Sequence, residues 1–261
     1  SEGTLGIITE ATLRLRPATA PKLTLLAFFP TVHHAGDAVS AMTRSGLIPV
    51  TLELIDRYVI SAVEAASHLG LDRQAGAMLL IESDALGAAA AAELDAAERA
   101  CEGAGSTSRR RASDAAEADA LREARRKAHW SMGQAGAART EDVSVPRSRV
   151  ADLMAVIDRL SARHDMEIGV FGHAGDGNFH PTFVTDRDDP QAEARINAVR
   201  TDLFAAVLAL GGSLAGEHGT GLSKRAFLEG QVGVRALAAM RAIKTALDPE
   251  GILNPGKIFL D

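Results

Sequence analysis

The sequence predicts an α+β protein in which helices cover a mostly antiparallel sheet. Short apolar runs of strand length alternate with longer segments of helical periodicity, and glycine or proline ends many of them. Two stretches of the chain, 22–56 and 143–185, share a strand–helix–strand pattern. Their similarity suggests a duplicated ferredoxin-like layout.

The predicted elements follow one another with short connections. Strands are expected at 5–8, with an extension through Leu13 and Leu15, and at 22–29, 47–55, 77–82, 106–111, 143–145, 167–173, 179–185, 213–215 and 257–260. Helices are expected at 31–45, 58–68, 87–101, 115–138, 148–164, 190–210, 223–229 and 232–247. In strand 47–55, alternation places Glu53 on the face opposite Leu52 and Leu54.

Composition excludes several classes of function. The 261 residues carry a formal net charge of −6, which argues against nucleic-acid binding. No apolar run reaches the roughly 20 residues that a membrane-spanning helix needs. Cys101 is the single cysteine, so an intrachain disulfide and a cysteine-based zinc finger are excluded. With no recognisable targeting segment, we expect a cytoplasmic protein, with peripheral attachment at the inner membrane as the alternative.

The first ten residues read as the interior of a longer chain. Residue 1 is serine, and Gly3 and Gly6 with Ile7 and Ile8 are typical of a turn that enters a strand. That strand would be a bare sheet edge if it were the native start. We therefore expect this chain to be the C-terminal part of a longer protein.

The segment Gly172-His173-Ala174-Gly175-Asp176-Gly177-Asn178-Phe179-His180-Pro181 carries the strongest chemical signal. Asp-Gly favours a two-residue type I′ hairpin turn. With that turn at Asp176-Gly177, His173 would face His180 across the strands with Cβ atoms about 5 Å apart. Two imidazoles at that separation suit a divalent metal, and the alternative is a pair of unrelated surface histidines.

A second signal is the segment Gly216-Glu217-His218-Gly219-Thr220-Gly221. Glu217 would complete a His₂Glu metal set with an open position, and His218 would then act as a base. The glycine spacing resembles a phosphate-binding loop, but Leu222-Ser223 stands where that motif requires Lys-Ser/Thr. The simpler alternative is a loop whose glycines adopt positive φ.

A third signal is the dense positive charge of the predicted helix 115–138. It carries Arg122, Arg125, Arg126 and Lys127. An arginine here could clamp a substrate carboxylate, and the alternative is a row of ordinary solvated helix charges.

These signals and both chain ends together resemble a known family. The matching segments, in order, are Ser-Glu-Gly-Thr-Leu-Gly-Ile-Ile-Thr-Glu at 1–10, Glu-Asp-Val-Ser-Val-Pro at 141–146, Gly-His-Ala-Gly-Asp-Gly-Asn-Phe-His at 172–180, Gly-Glu-His-Gly-Thr-Gly-Leu-Ser-Lys-Arg at 216–225 and Asp-Pro-Glu-Gly-Ile-Leu-Asn-Pro-Gly-Lys-Ile-Phe at 248–259. The chain resembles the C-terminal half of FAD-linked oxidases of the vanillyl-alcohol oxidase superfamily. The resemblance is greatest to the D-lactate dehydrogenase, glycolate oxidase FAD subunit and D-2-hydroxyglutarate dehydrogenase type.

The resemblance implies a domain organisation. Residues 1–19 would be the last strand of an FAD-binding domain that precedes this chain. Residues 20–245 would form the substrate or cap domain with the metal site, and 246–261 would return to the flavin. The implied cofactors are FAD and a divalent metal, with zinc the first choice and manganese or iron the next.

The resemblance also implies residue roles. His173, His180 and Glu217 match the metal ligands, and His218 matches the histidine that takes the substrate hydroxyl proton. Arg125 matches an arginine that holds the substrate carboxylate, and His129 falls where a substrate-contacting side chain sits. The positions that match flavin contacts are Gly3, Thr4, Gly6, Ile8 and Asn254.

Two substrate-site positions depart from dicarboxylate-specific relatives. Those relatives carry a lysine near position 140 and an asparagine two residues past the second histidine, where this chain has Thr140 and Thr182. Both differences favour a small monocarboxylate as substrate.

The implied reaction is FAD-dependent oxidation of a small D-2-hydroxy acid, of D-lactate or glycolate type, to the 2-oxo acid. One alternative is a non-catalytic metal-binding fragment, and a weaker one is a His₂Glu metallohydrolase. The electron acceptor is not indicated by the sequence, and homodimerisation stays open.

Overall fold

The computed structural model describes residues 1–15 and 21–260. The chain divides into two compact units. The larger unit is Thr19–Gly212, and the smaller unit combines Ser1–Ala18 with Ser213–Asp261. The predicted substrate domain extends to residue 245, whereas here residues 213–245 belong to the smaller unit, together with the two ends of the chain. The functional assignment of the three predicted segments stays a prediction.

The larger unit is built on one antiparallel sheet. Its strands are β1 (Leu23–Phe29), β2 (Thr51–Asp56), β3 (Ala77–Ser83), β4 (Ser108–Arg111), β5 (Ala137–Thr140), β6 (Val143–Ser144), β7 (Glu167–His173) and β8 (Asn178–Thr185). Their order in the sheet is β4-β1-β3-β2-β7-β8-β5, and β6 also pairs with β8. The predicted fold class, an α+β protein with a mostly antiparallel sheet, is confirmed.

Helices follow the strands on both faces of the sheet. In the larger unit they are α1 (Val32–Arg44), α2 (Arg57–Ser67), α3 (Ala88–Gly103), α4 (Ala115–Arg126), α5 (Ala128–Ala135), α6 (Val150–His164) and α7 (Ala192–Ala209). The smaller unit carries α8 (Leu228–Val232) and α9 (Val234–Leu247). Short 3₁₀ turns lie at Arg147–Arg149 and Arg225–Phe227. Throughout residues 1–15 and 21–260, none of the helices combines the length and apolar character that a bilayer crossing requires.

The topology agrees with the predicted duplication. The first half has the order β4-β1-β3-β2 with helices after β1 and β3, which is the ferredoxin-like arrangement. The second half has the order β7-β8-β6, with α6 after β6 and α7 after β8. The halves meet where β2 pairs with β7, and this junction positions the candidate site.

One face of the sheet packs against α2, α4 and α5. Its buried residues include Leu26, Ile55, Leu80, Phe171 and Met132. The opposite face is covered by the other helices of this unit, with α3 on β1 and β3 and α6 on β7. The sheet is therefore buried on both sides, and any charged side chain within it needs a partner.

The predicted helix 115–138 is wrong in its continuity and at its end. The segment forms α4 and α5, separated at Lys127, and its end forms β5. At the start of β5, a Cβ on Gly136 would lie 2.6 Å from the Thr185 carbonyl oxygen. Close pairing with β8 therefore outweighs the helix propensity of this alanine-rich segment.

Three predicted strands are absent from the described residues. Residues 5–8 and 257–260 form no strand, and 213–215 contain only an isolated bridge at Ser213. Each of these segments is apolar enough for a strand, but a strand persists only when a neighbour pairs with its backbone. No strand ladder in the described part of the chain includes them.

Candidate active site

The β7–β8 hairpin presents His173 and His180 on one face of the sheet. The register pairs His173 with Asn178 and Phe171 with His180. The predicted two-residue turn and the direct His173–His180 opposition are therefore wrong. The histidines are diagonal neighbours, with ring centroids 5.6 Å apart and ring planes at 90°.

The longer turn is stabilised by hydrogen bonds within the turn and by one to β2. The His173 carbonyl accepts hydrogen bonds from the amides of Asp176 and Gly177, at 3.2 and 3.0 Å. The Gly175 amide donates to the carbonyl of Leu52 in β2, at 3.2 Å. Residues 174–177 therefore connect the strands, shifting the register by two. Because side chains alternate with a period of two, both histidines keep the same face.

His180 is buried against an aromatic and an acidic side chain. Its residue exposure is 4%, and its ring centroid lies 5.2 Å from that of Phe171. Its Nδ1 lies 3.9 Å from Oδ1 of Asp142, which is also buried. The neighbouring Asn178 side-chain oxygen is buried and has no hydrogen-bond partner among the described residues. This face therefore offers an imidazole nitrogen, a carboxylate oxygen and an amide oxygen. Atoms of these kinds are ligands for divalent cations.

Glu53 links the predicted substrate arginine to a predicted metal ligand. Its Oε1 lies 2.5 Å from His173 Nδ1, and its Oε2 accepts a 2.7 Å hydrogen bond from Arg125 Nε. The Arg125 guanidinium also lies over the Phe171 ring, 4.8 Å from the centroid. Burial acts to raise the pKa of the Glu53 carboxyl, but the hydrogen bonds and charges of His173 and Arg125 outweigh it and hold the pKa below its ordinary value.

The other predicted substrate residues form a hydrogen-bonded row. His129 Nδ1 lies 2.9 Å from Thr140 Oγ1, which lies 2.9 Å from Thr182 Oγ1. Thr182 donates to the His180 carbonyl at 3.3 Å. The row therefore connects α5, β5 and β8 to the histidine pair through side-chain hydroxyls.

A cavity of about 270 Å³ opens beside Glu53 and His173. Its rim includes residues 47–52, Arg147, Gly175 and Asp176. Arg147 Nη1 donates to the Gly175 carbonyl at 3.4 Å, which places a guanidinium at the rim. Small polar molecules can therefore approach this side of the site.

The smaller unit carries the loop 216–221 with Glu217 and His218. Both side chains are at least half-exposed, and His218 Nε2 lies 3.7 Å from Glu217 Oε1. The carboxylate of Glu2 accepts hydrogen bonds from the amides of Thr220 and Gly221, both at 2.7 Å. Gly219 has a φ of +80°, and a Cβ there would lie 2.7 Å from Glu2 Oε1. The positive φ of Gly219 agrees with the alternative given for this loop, while the roles of Glu217 and His218 stay predictions.

Part of the predicted flavin-contact set lies together in the smaller unit. Asn254 donates from its side-chain amide to the Glu2 carbonyl, and a Cβ on Gly3 would lie 2.7 Å from that amide nitrogen. Thr4 is buried and donates to the Ser1 carbonyl at 2.7 Å. A Cβ on Gly6 would meet no described atom within 4 Å apart from its chain neighbours, and Ile8 is 90% exposed.

The larger unit thus brings together six predicted site residues: Arg125, His129, Thr140, His173, His180 and Thr182. Two further members, Glu53 and Asp142, were missed by sequence reasoning. Glu53 had a readable signal, because it is a lone acid in the apolar strand Thr-Leu-Glu-Leu-Ile. A charge predicted to be buried in a strand calls for a specific partner.

Comparisons with known proteins agree with this architecture. Residues 19–258 match the family described as FAD linked oxidases, C-terminal domain. The glycolate oxidase subunit GlcD of Bacillus subtilis is 38% identical, covering 99% of this chain and 55% of that protein. The Escherichia coli K12 subunit of the same name is 34% identical, and the match covers 98% of this chain and 52% of that protein. The mitochondrial D-lactate dehydrogenase [cytochrome] of Arabidopsis thaliana is 32% identical, covering 99% and 46%.

Solved structures show the same fold at low identity. p-Cresol methylhydroxylase with substrate bound matches at a TM-score of 0.70 and 13% identity, covering 94% of this chain and 54% of that one. A 4-ethylphenol oxidase from Gulosibacter chungangensis matches at a TM-score of 0.66 and 16% identity. This match covers 95% of this chain and 55% of that one. The chain spans about half the length of the relatives it matches. The family resemblance drawn from the ordered segments is confirmed, and the chain belongs to the FAD-linked oxidases as a C-terminal domain of that family.

Proposed function

We propose that this chain is the substrate-binding part of a flavoenzyme that oxidises a small D-2-hydroxy monocarboxylate, of D-lactate or glycolate type, to the 2-oxo acid. The observation that carries the proposal is the convergence of Arg125, His173 and His180 on one sheet face through Glu53 and Phe171. The names of the relatives, glycolate oxidase subunit and D-lactate dehydrogenase, support the same substrate class.

A divalent metal fits the donor chemistry of this face. His173 and His180 supply imidazole nitrogens, and the buried Asn178 oxygen, which has no hydrogen-bond partner in the described part of the chain, supports a polar occupant. By its sequence motif, Glu217 is the candidate for a third ligand. With nitrogen and oxygen donors, zinc is the first choice, and manganese or iron is the next. When bound, the metal would lower the pKa of a coordinated substrate hydroxyl.

The chain's own residues would bind and deprotonate the substrate. Arg125 donates to Glu53 through Nε, and its two terminal nitrogens form no hydrogen bond within the described residues. Those nitrogens have the geometry to bind a carboxylate in a bidentate pair. His218 is the candidate to take the hydroxyl proton. FAD, when bound by the complete enzyme, supplies the hydride acceptor, and the positions proposed to approach it are Gly3, Thr4, Gly6, Ile8 and Asn254.

The threonine row favours a monocarboxylate. The Thr140 hydroxyl contacts both His129 and Thr182, and the Thr182 hydroxyl also donates to the His180 carbonyl, so both hydroxyls have partners. Neither position offers a positive charge to a second carboxylate. A cytoplasmic location, with the inner-membrane surface as alternative, and a homodimer stay predictions.

Substrate oxidation and metal content test the proposal in the flavin-containing enzyme that includes this chain. We expect 2-oxo acid from D-lactate or glycolate and about one divalent metal per chain. His180→Ala should lose the metal and the activity. The control is His164→Ala, which should keep both, because the His164 ring contacts Asp202 on α7, at 2.9 Å, and no predicted site residue in the described part of the chain. Equal metal content in the two variants, or ester hydrolysis without flavin reduction, would contradict the proposal.

A further inference from the structure

We infer that Glu53 is a positioning residue, which holds the substrate-binding arginine and a metal-binding histidine with one carboxylate. The inference rests on the proposed function for the roles of Arg125 and His173. The contacts themselves come from the larger unit alone.

Glu53 lies where a carboxylate is costly without partners. It is in the middle of β2, which pairs with β3 on one side and β7 on the other, and it is 8% exposed. On its own face, the next residue in β2 is Ile55, which belongs to the apolar core. A carboxylate here is stabilised only by the groups that contact it.

Each oxygen of Glu53 has a different partner. Oε2 accepts from Arg125 Nε on α4, at 2.7 Å, and Oε1 contacts His173 Nδ1 on β7, at 2.5 Å. His173 is also the register partner of Glu53 across the β2–β7 junction. The Glu53 carboxylate thus connects its own strand, β2, to helix α4 and to the β7–β8 hairpin, which carries both histidines.

The contact at His173 selects one form of the imidazole. An ionised carboxylate only accepts hydrogen bonds, so the ring nitrogen facing it carries the proton. The lone pair is then on Nε2, the nitrogen that would bind a metal. Carboxylate–histidine pairs of this kind orient metal ligands and increase their basicity.

The contact at Arg125 orients the guanidinium. The hydrogen bond at Nε and the Phe171 ring, 4.8 Å from the guanidinium carbon, together set the plane of the group. The terminal nitrogens are then held in a set plane, from which they would bind a substrate carboxylate. Loss of Glu53 should therefore disturb metal and substrate binding together.

Glu53→Gln tests the inference, because an amide offers one acceptor and one donor and cannot accept from both partners. The matched control is Glu123→Gln on α4, whose carboxylate pairs with Arg126 near the surface. Three measurements apply: zinc affinity by chelator competition, the His173 tautomer by ¹⁵N NMR of metal-free protein, and KM for D-lactate in the flavin-containing enzyme.

We expect wild-type His173 to carry its proton on Nδ1. Glu53→Gln should weaken zinc binding by about 10- to 100-fold, change the tautomer and raise KM, while Glu123→Gln matches wild type. A wild-type proton on Nε2 overturns the inference even if the variant fails to fold. So does unchanged zinc affinity in a folded variant.

The readouts separate this inference from the proposed function. The tautomer measurement requires neither metal, flavin nor turnover. An enzyme that oxidises hydroxy acids normally after Glu53→Gln would overturn the inference and leave the function standing. If the wild-type enzyme oxidises no hydroxy acid, but Glu53→Gln changes the His173 tautomer as expected, the proposed function is refuted. The positioning role of Glu53 is then retained.

Discussion

The hydroxyl oxygens of Thr140 and Thr182 lie 2.9 Å apart, and the two residues are register partners across the β5–β8 pair. His129 extends the row from the other side of Thr140, at 2.9 Å. The candidate site therefore presents hydroxyls at the two positions where the family resemblance implies a lysine and an asparagine in dicarboxylate-specific members. This local difference leads to a prediction about substrate choice.

The double substitution Thr140→Lys with Thr182→Asn should shift preference toward 2-hydroxy diacids. A lysine adds a charge that attracts a second carboxylate, and a charge-assisted hydrogen bond is the stronger kind. We expect the ratio of kcat/KM for a diacid to that for D-lactate to rise at least about tenfold. The control Thr201→Lys adds the same charge on the exposed surface of α7. An equal shift in both variants would refute a local specificity role.

Gly177→Val should destabilise the hairpin and weaken zinc binding. Gly177 has a φ of +81°, and a Cβ there would lie 2.1 Å from the Val145 carbonyl oxygen. Backbone strain and the clash together should cost about 2–4 kcal/mol of unfolding free energy. Urea unfolding measures the cost. The control Gly103→Ala, with open space at its Cβ, should stay within about 1 kcal/mol of wild type.

The free energy of unfolding should show a pH dependence that originates at Asp56. Its carboxyl accepts from the amides of Val59 and Val170, at 2.9 and 2.7 Å, and burial raises its pKa to about 7. The folded state then holds a proton that the unfolded chain releases above about pH 4. The contribution of Asp56 is complete below that pH and is lost as the pH rises toward 7, with a slope of at most about 1.4 kcal/mol per pH unit.

Asp56→Asn should therefore flatten the stability curve between pH 5 and 7, since the asparagine does not titrate. Urea unfolding at several pH values gives the difference between variant and wild type. Asp152→Asn, at an exposed position on α6, is the control. Parallel curves for wild type and Asp56→Asn would show that Asp56 does not titrate in this range.

His218→Ala should lower the rate of substrate oxidation with little change in KM. Removal of a general base typically costs about 10²–10⁴-fold in rate. If His218 is only a loop residue, its loss lowers thermal stability while each folded molecule turns over normally. Turnover per folded molecule, measured alongside the melting temperature, distinguishes these outcomes.

Much of the fold could be predicted because local signals and tertiary structure agree. The strands ending at Phe29 and His173 are apolar, of strand length and followed by turn residues. The faces of β2 also follow from alternation, with Glu53 and Ile55 on one side. These features depend on residues that are close together in the sequence, so a single sequence is enough to predict them.

The features that were predicted wrongly depend on distant residues. The hairpin register follows from a hydrogen bond between Gly175 and Leu52, which belong to different halves of the sheet. The start of β5 depends on its pairing with β8, a strand about 45 residues later in the sequence. The sequence marks Glu53 as a buried acid that needs a partner, but its partners Arg125 and His173 are distant in the sequence and follow only from the fold.

Flavin reduction under anaerobic single-turnover conditions, with Arg125→Lys in the flavin-containing enzyme, tests the central claim most directly. The dependence of reduction on D-lactate concentration gives both substrate affinity and the limiting rate of hydride transfer. Lysine cannot form the paired hydrogen bonds of a guanidinium, so we predict a Kd for D-lactate about 10- to 100-fold higher. The neighbouring Arg126→Lys, whose side chain pairs with Glu123 at the surface, should leave Kd unchanged. An Arg125→Lys enzyme that binds D-lactate and reduces its flavin as wild type does would contradict the proposed site.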